Sequence, residues 1–251
     1  MDSTNKENCI LEIKDVSVSF RDNPVLDNIN IHLAEGELVS LLGKSGSGKT
    51  TLFNVIAGLL SPDRGQVLLK GRNVVDEPGN VSYMLQKDLL LPFRTIQDNV
   101  ALPLLMRGVP KKEAREKATE LFAQFGLEGT EKKYPKQLSG GMRQRAALLR
   151  TYMFSHEVAL LDEPFSALDT FTKSQMHTWY LDVMKNIKLT TLFITHDIDE
   201  AILLSNRIYL LTGQPGVIEA EIAIDRGDIP REEFLLSQEF LSYKKQILDI
   251  L

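Results

Sequence analysis

The segment "GKSGSGKT" at residues 43–50 lies directly after the apolar run "ELVSLL" and directly before "TLFNVIAGLL". A glycine-rich break between a buried strand and a helix confines the chain to folds that hold a small group against exposed backbone. The stretch fits G-x-x-x-x-G-K-[ST] in the context that pattern requires, a strand before and a helix after. There the backbone N–H groups of Gly46, Ser47 and Gly48 can wrap phosphate oxygens at a helix N-terminus. Glycines are needed because a Cβ would obstruct the close approach. The expected loop comprises Gly43, Lys44, Ser45, Gly46, Ser47, Gly48, Lys49, Thr50 and Thr51. Lys49 is expected to reach the β- and γ-phosphates of a nucleoside triphosphate, and the Thr50 hydroxyl to ligate Mg²⁺.

Three other short apolar runs end in polar residues: "VSYMLQ", "EVALLDEP" and "TTLFITHD". Strands buried on both faces read this way, which predicts a parallel sheet with function at its C-terminal edge. "ILEIKDVSVSF" and "NINIHLA", alternating around the turn-forming "RDNP", predict an N-terminal antiparallel layer. "KKEAREKATELFAQFG" puts Ala114, Ala118, Leu121, Phe122 and Phe125 on one helical face and stops at Gly126; "MRQRAALLRTYMF" repeats at Met142, Ala146, Leu149 and Met153. Residues 90–153 are therefore read as a helical insert in an α/β core made of 1–89 and 154–220. The tail, residues 221–251, holds another amphipathic helical candidate, either packed on its own domain or offered to a partner helix.

At 251 residues with 43% hydrophobic side chains, the chain can fill a sizeable core. Its 29 basic and 34 acidic residues leave a net charge of −5, which argues against broad electrostatic binding of nucleic acid or an anionic bilayer. A single cysteine, Cys9, cannot close an internal disulfide, and "MDSTNKENCI" lacks the pattern of a signal peptide, so a cytosolic compartment is expected. No apolar run reaches the roughly 18 to 20 residues a bilayer span needs. A membrane component, if there is one, belongs to another chain.

Two further motifs narrow the chemistry. The apolar strand "VALLDEP" delivers Asp162, suited to the Mg²⁺ shell, and Glu163, suited to polarising an attacking water. "LSGGMRQR" opens a helix with Ser139 as its cap, and Gly140 and Gly141 leave the N–H groups open to an anion.

With that second anion-binding helix end, upstream of "VALLDEP", the chain resembles the nucleotide-binding subunit of ABC transporters over nearly its whole length. The resemblance implies an α/β fold: a P-loop NTPase (RecA-like) core with an N-terminal antiparallel β layer and an inserted α-helical subdomain. It implies ATP with Mg²⁺, and it assigns further residues. Phe20, which precedes Lys49 by 29 positions, is similar to the family's adenine-stacking aromatic, the alternative being a core aromatic. Gln86 resembles the glutamine that reaches the Mg²⁺ and the attacking water. Asp169 after "SAL" resembles the acid of the loop crossing the dimer interface, and His196 in "FITHD" the histidine that senses the γ-phosphate.

The family's logic implies a homodimer closed head to tail on two ATP molecules, opened by hydrolysis, and coupled to integral membrane permease subunits at the cytoplasmic membrane face. An extracytoplasmic solute-binding protein is an indirect partner. "QKDLLLPFRTIQDNVALPL" and the stretch from "GMRQR" to "SALD" resemble the nitrate, sulfonate, taurine and thiamine-precursor importers, which often have Trp where this chain has Phe93. The alternative is a soluble, non-transport ATPase of the same family; tandem cassettes would need two P-loops, and chromosome-organising ATPases long heptad coiled coils. Residues 89–93, "LLLPF", are too apolar for an ordinary solvated loop. They either line a groove between core and insert that takes a permease helix, or pack beneath the insert.

Overall fold

A computed structural model describes residues 9–154, 157–227 and 229–251. Most of the N-terminal stretch read above for a signal peptide, residues 1–8, lies outside the described residues. The chain begins β1 (Cys9–Phe20), β2 (Asn23–Ala34), β3 (Leu38–Leu42), α1 (Lys49–Ile56), β4 (Arg64–Leu69) and β5 (Arg72–Asn73). It continues with β6 (Ser82–Met84), α2 (Ile96–Val100), α3 (Leu102–Met106), α4 (Lys111–Glu120), α5 (Gly140–Phe154), β7 (Val158–Asp162) and α6 (Thr170–Ile187). It closes with β8 (Thr190–Thr195), α7 (Ile198–Leu204), β9 (Arg207–Thr212), β10 (Val217–Ala223), α8 (Arg231–Phe234) and α9 (Gln238–Ile250).

Two compact units result, the first made of residues 1–81 and 190–251 and the second of 82–189. In the first unit, β1 and β2 form the expected antiparallel hairpin, and β4 and β5, not anticipated from the sequence, extend it in the order β2-β1-β4-β5. β3 runs parallel to both β8 and β9, while β10 returns antiparallel to β9. Every residue of β3 and β8 is buried, which is why these strands read as unbroken apolar runs and not as alternating ones. On this unit the tail packs on its own core: Phe234, Phe240 and Ile247 join Leu42, Ala201, Ile208, Leu210 and Ile222 in one apolar cluster. Burying these side chains stabilises the tail by roughly 1.5–3 kcal/mol each. Of its two readings, the domestic one is realised.

In the second unit, β6 and the fully buried β7 pair in parallel. The helix predicted to reach Gly126 ends at Glu120; beyond it, Phe122 N–H bonds Thr119 O and Gly126 N–H bonds Ala123 O. These i→i−3 turns keep Phe122 and Phe125 buried beyond the end of α4, as Ala114 and Ala118 are buried within it. α5 opens where the sequence placed it, the Ser139 hydroxyl accepting from Met142 N–H at 3.3 Å. Among the described residues no helix is long and apolar enough to cross a membrane.

Candidate functional site

In the first unit the predicted phosphate loop leaves the end of β3 and enters α1. Gly46 and Gly48 have φ of 82° and 96°, left-handed values that side chains resist. Gly48 is the N-cap of α1 and offers no side-chain cap, so N–H groups of the first turn remain available to an anion. Lys49 is buried at 7% exposure, and its Nζ donates to the carbonyls of Gly43 and Lys44, each at 2.8 Å. The Ser47 hydroxyl is buried without a hydrogen-bond partner. Thr50 is exposed and Thr51 half-buried, while Lys44 and Ser45 lie on the outer, exposed side of the loop. A cradle of left-handed glycines, a folded-back ammonium and an orphaned hydroxyl fits the oxygens of a phosphate chain.

The loop is braced from behind. A Cβ at Gly43 would overlap the Leu211 carbonyl oxygen of β9, and one at Gly48 would come within 2.6 Å of Leu26 Cδ2 in β2. Elsewhere in this unit His196, at the end of β8, is exposed, and Asp197 after it caps α7 by accepting from Glu200 N–H. Phe20, at the end of β1, is 50% exposed, which removes the reading as a core aromatic.

In the second unit Asp162 is the buried last residue of β7, and burial together with Asp162's charge pushes the neighbouring Tyr83 phenol far above its ordinary range. Glu163 follows at φ 45°, a left-handed conformation costing a non-glycine residue roughly 1–2 kcal/mol. Ser166 holds that turn, donating through N–H and hydroxyl to the Glu163 carbonyl at 3.2 and 3.0 Å. Gln86 Nε2 donates to Glu163 Oε2 at 3.1 Å and lies 3.4 Å from Ser166 Oγ. The structure thus brings together two predicted residues that lie 77 positions apart in sequence.

The second anion-binding candidate also has a defined shape. Gly140 is the first residue of α5, and Gly141 is buried so closely that a Cβ would meet Thr172 Cγ2 at 3.3 Å. Asp169 caps α6; hydrogen bonds from the Thr172 hydroxyl at 2.6 Å and N–H at 3.0 Å hold its carboxyl below the usual carboxylate range.

The segment after Gln86 is where sequence reasoning fell short. Leu90 is buried at 7% exposure, whereas Leu89 and Phe93 are 52% and 73% exposed, so the packing reading holds for Leu90 and not for Leu89 or Phe93. Three unforeseen side chains impose this. Arg150 donates to the carbonyls of Asp88 and Leu89 at 2.5 and 2.8 Å, holding Leu89 at φ 44°. Fully buried Asn99 accepts from Leu91 N–H at 2.7 Å and donates to the carbonyls of Leu91, Arg94 and Thr95. Arg143, two residues past the glycine pair, bonds Asp88 at 3.2 Å and the Leu138 carbonyl at 2.9 Å. An asparagine inside a short helix was the visible signal, since asparagine there usually serves a nearby backbone.

Comparison with known proteins identifies the family. The sequence family described as ABC transporter matches residues 26–166. The formylaminopyrimidine import ATP-binding protein ThiZ of Halalkalibacterium halodurans is 43% identical over 245 residues, 96% of this chain and 96% of that protein. The taurine import ATP-binding protein TauB of Escherichia coli O157:H7 is 41% identical over 207 residues, 82% of this chain and 81% of that one. Among solved structures, the dimeric MJ0796, a bacterial ABC transporter cassette, matches with a TM-score of 0.72 at 29% identity, covering 87% of this chain and all (100%) of that one.

Proposed function

Because the chain belongs to the ABC transporter family as an ATP-binding and ATP-hydrolysing subunit, we propose that two copies close head to tail on two ATP molecules and drive solute import through separate membrane permease subunits. The observation that carries the nucleotide assignment is the loop of residues 43–50, with its uncapped helix end, buried Lys49 and unpartnered Ser47 hydroxyl.

On this reading Gly46, Ser47 and Gly48 bind phosphate oxygens through backbone N–H groups, and Lys49 exchanges its two carbonyl partners for the β- and γ-phosphates. Phe20 stacks on the adenine, its exposed ring supporting the assignment. Thr50, Asp162 and Gln86 would hold Mg²⁺, which would neutralise phosphate charge. Glu163 accepts the proton of the attacking water while Gln86, already bonded to its carboxylate, keeps it aimed. His196 contacts the γ-phosphate. Ser139, Gly140 and Gly141 present the second anion-binding helix end to the nucleotide of the opposite subunit, and Asp169 lies at that interface. Loss of the γ-phosphate then removes the bridge and the dimer opens.

Similar relatives carry names for chemically different solutes, taurine and a formylaminopyrimidine, which supports selection of the solute by the permease and an extracytoplasmic binding protein. The chain acts at the cytoplasmic face of the membrane, with no role for nucleic acid. The exposed Leu89 and Phe93 form part of the permease contact. The test is co-expression with candidate permease subunits: a coupled subunit co-purifies with one and shows solute-stimulated ATP hydrolysis in vesicles. A free-standing ATPase does neither.

A further inference from the structure

Gly216 lies 166 positions beyond the phosphate loop, in the turn between β9 and β10, and belongs to no nucleotide motif. Its N–H donates to the Val25 carbonyl at 2.8 Å, and its carbonyl accepts from Asp27 N–H at 2.9 Å. These two bonds stitch the turn to β2 on either side of fully buried Leu26. A Cβ at Gly216 would overlap the carbonyl oxygen of Ser47, in the middle of the phosphate loop, and reach 3.4 Å from Leu26 Cδ2 and Leu211 Cδ1. Two of the loop glycines face the same supports: an added Cβ would meet the Leu211 carbonyl at Gly43, and Leu26 Cδ2 and, at 3.2 Å, the Val25 carbonyl at Gly48. Gly216 does not have a left-handed backbone, so alanine is sterically excluded there by the Ser47 peptide and not by its own φ.

We infer that Gly216 is a positioning residue for nucleotide binding. The turn of residues 213–216 acts as a backstop that sets the Ser47–Gly48 peptide, and hence the direction of the N–H groups and of the Ser47 hydroxyl that meet the phosphates. The inference rests on the proposed role of the 43–50 loop. An obstructing methyl group has two ways to be relieved. Either the stitched turn moves, breaking its bonds to Val25 and Asp27, or the phosphate loop moves. The turn is held by its two bonds to β2, whereas the helix end of the loop is uncapped, so the loop is the member that yields. The cost of the substitution therefore falls on ligand geometry. By reciprocity, a nucleotide that fixes the loop must also tighten the turn behind it.

The experiment compares Gly216→Ala with Gly71→Ala, whose backbone is left-handed (φ +77°) and where no atom lies within 4 Å of the added methyl. Gly71→Ala therefore imposes backbone strain alone. Gly216→Ala is expected to raise the KM for ATP and the Kd for a fluorescent ATP analogue about tenfold, with kcat at saturating ATP changed less than twofold. Gly71→Ala is expected to lower the melting temperature without moving KM. An unchanged KM in Gly216→Ala overturns the inference. Lys49→Ala serves as the control for the underlying reading: if it binds ATP normally, the loop is not the nucleotide site; if it loses ATP while Gly216→Ala keeps it, the backstop alone fails. Should Gly216→Ala not fold, amide exchange in the wild-type protein decides. Slower exchange of the Asp27 and Gly216 N–H groups on ATP binding supports the backstop, and unchanged exchange overturns it.

Discussion

The Gln86 amide donates to the Glu163 carboxylate at 3.1 Å, joining the segment after β6 to the strained turn after β7. A carboxylate already fixed by a hydrogen bond needs little reorganisation to take a proton from water. Glu163→Gln is expected to retain ATP binding while hydrolysis falls by at least about 100-fold, the usual contribution of a general base. Size-exclusion chromatography in ATP should then show a persistent dimer. Gln86→Ala should cost about tenfold in kcat, the worth of one hydrogen bond to a charged group. Near-wild-type turnover of Glu163→Gln removes that residue from the role.

Lys49 donates to two loop carbonyls, so its removal acts on binding before chemistry. Lys49→Ala should weaken ATP affinity by about two orders of magnitude, consistent with loss of a charge-assisted contact of ~3 kcal/mol. Titration calorimetry measures this directly. Lys49→Arg should not restore it, because a planar guanidinium does not fit the space of a point ammonium.

The apolar stretch after Gln86 is separable by exposure. Leu90→Asp buries a charge and should unfold the second unit, a loss of several kcal/mol. Phe93→Asp, at a 73% exposed ring, should leave melting and ATP binding unchanged while abolishing co-purification with the permease. Intact assembly and transport in Phe93→Asp would sink the docking role.

Arg115 grips both oxygens of Asp98 at 2.8 Å between α2 and α4, and this hydrogen-bonded pairing holds the Asp98 carboxyl below its usual value. A carboxyl with a depressed folded-state value adds stability above the unfolded value of about 3.9, and that stability is lost as pH falls through the folded value. Asp98→Asn should therefore cost about 1 kcal/mol at pH 7, allowing for the partly exposed arginine. The difference should shrink below about pH 4. Urea unfolding at the two pH values checks the sign.

Asn99 serves four backbone groups of residues 91–95 from a fully buried position. Asn99→Leu removes these side-chain bonds, although the Leu91 carbonyl keeps the Arg94 N–H and the Thr95 carbonyl the Asn99 N–H, and should destabilise by roughly 2–4 kcal/mol, read as a lowered urea midpoint. It should also raise proteolytic cleavage at residues 89–95, which a simple loss of packing elsewhere would not do.

What the sequence determined by itself was written contiguously. The phosphate loop is eight successive residues with a strand before and a helix after, and the Ser139 cap of α5 lies three residues from the N–H it accepts. Local hydrogen bonds and left-handed glycines need only neighbours, so spacing suffices to read them. The buried strands β3, β7 and β8 were legible because a strand covered on both faces must be apolar throughout. Tertiary structure decided the rest. Only packing separates Leu90, which is inside, from Leu89 and Phe93, which are outside, since all three are equally apolar. The Arg150 and Asn99 contacts that impose this division join backbone carbonyls, which no residue identity advertises. Gly216 meets Ser47 across 169 positions for the same reason: the requirement is for absent volume against a distant peptide, and a chain read in order shows a glycine but not what it must avoid.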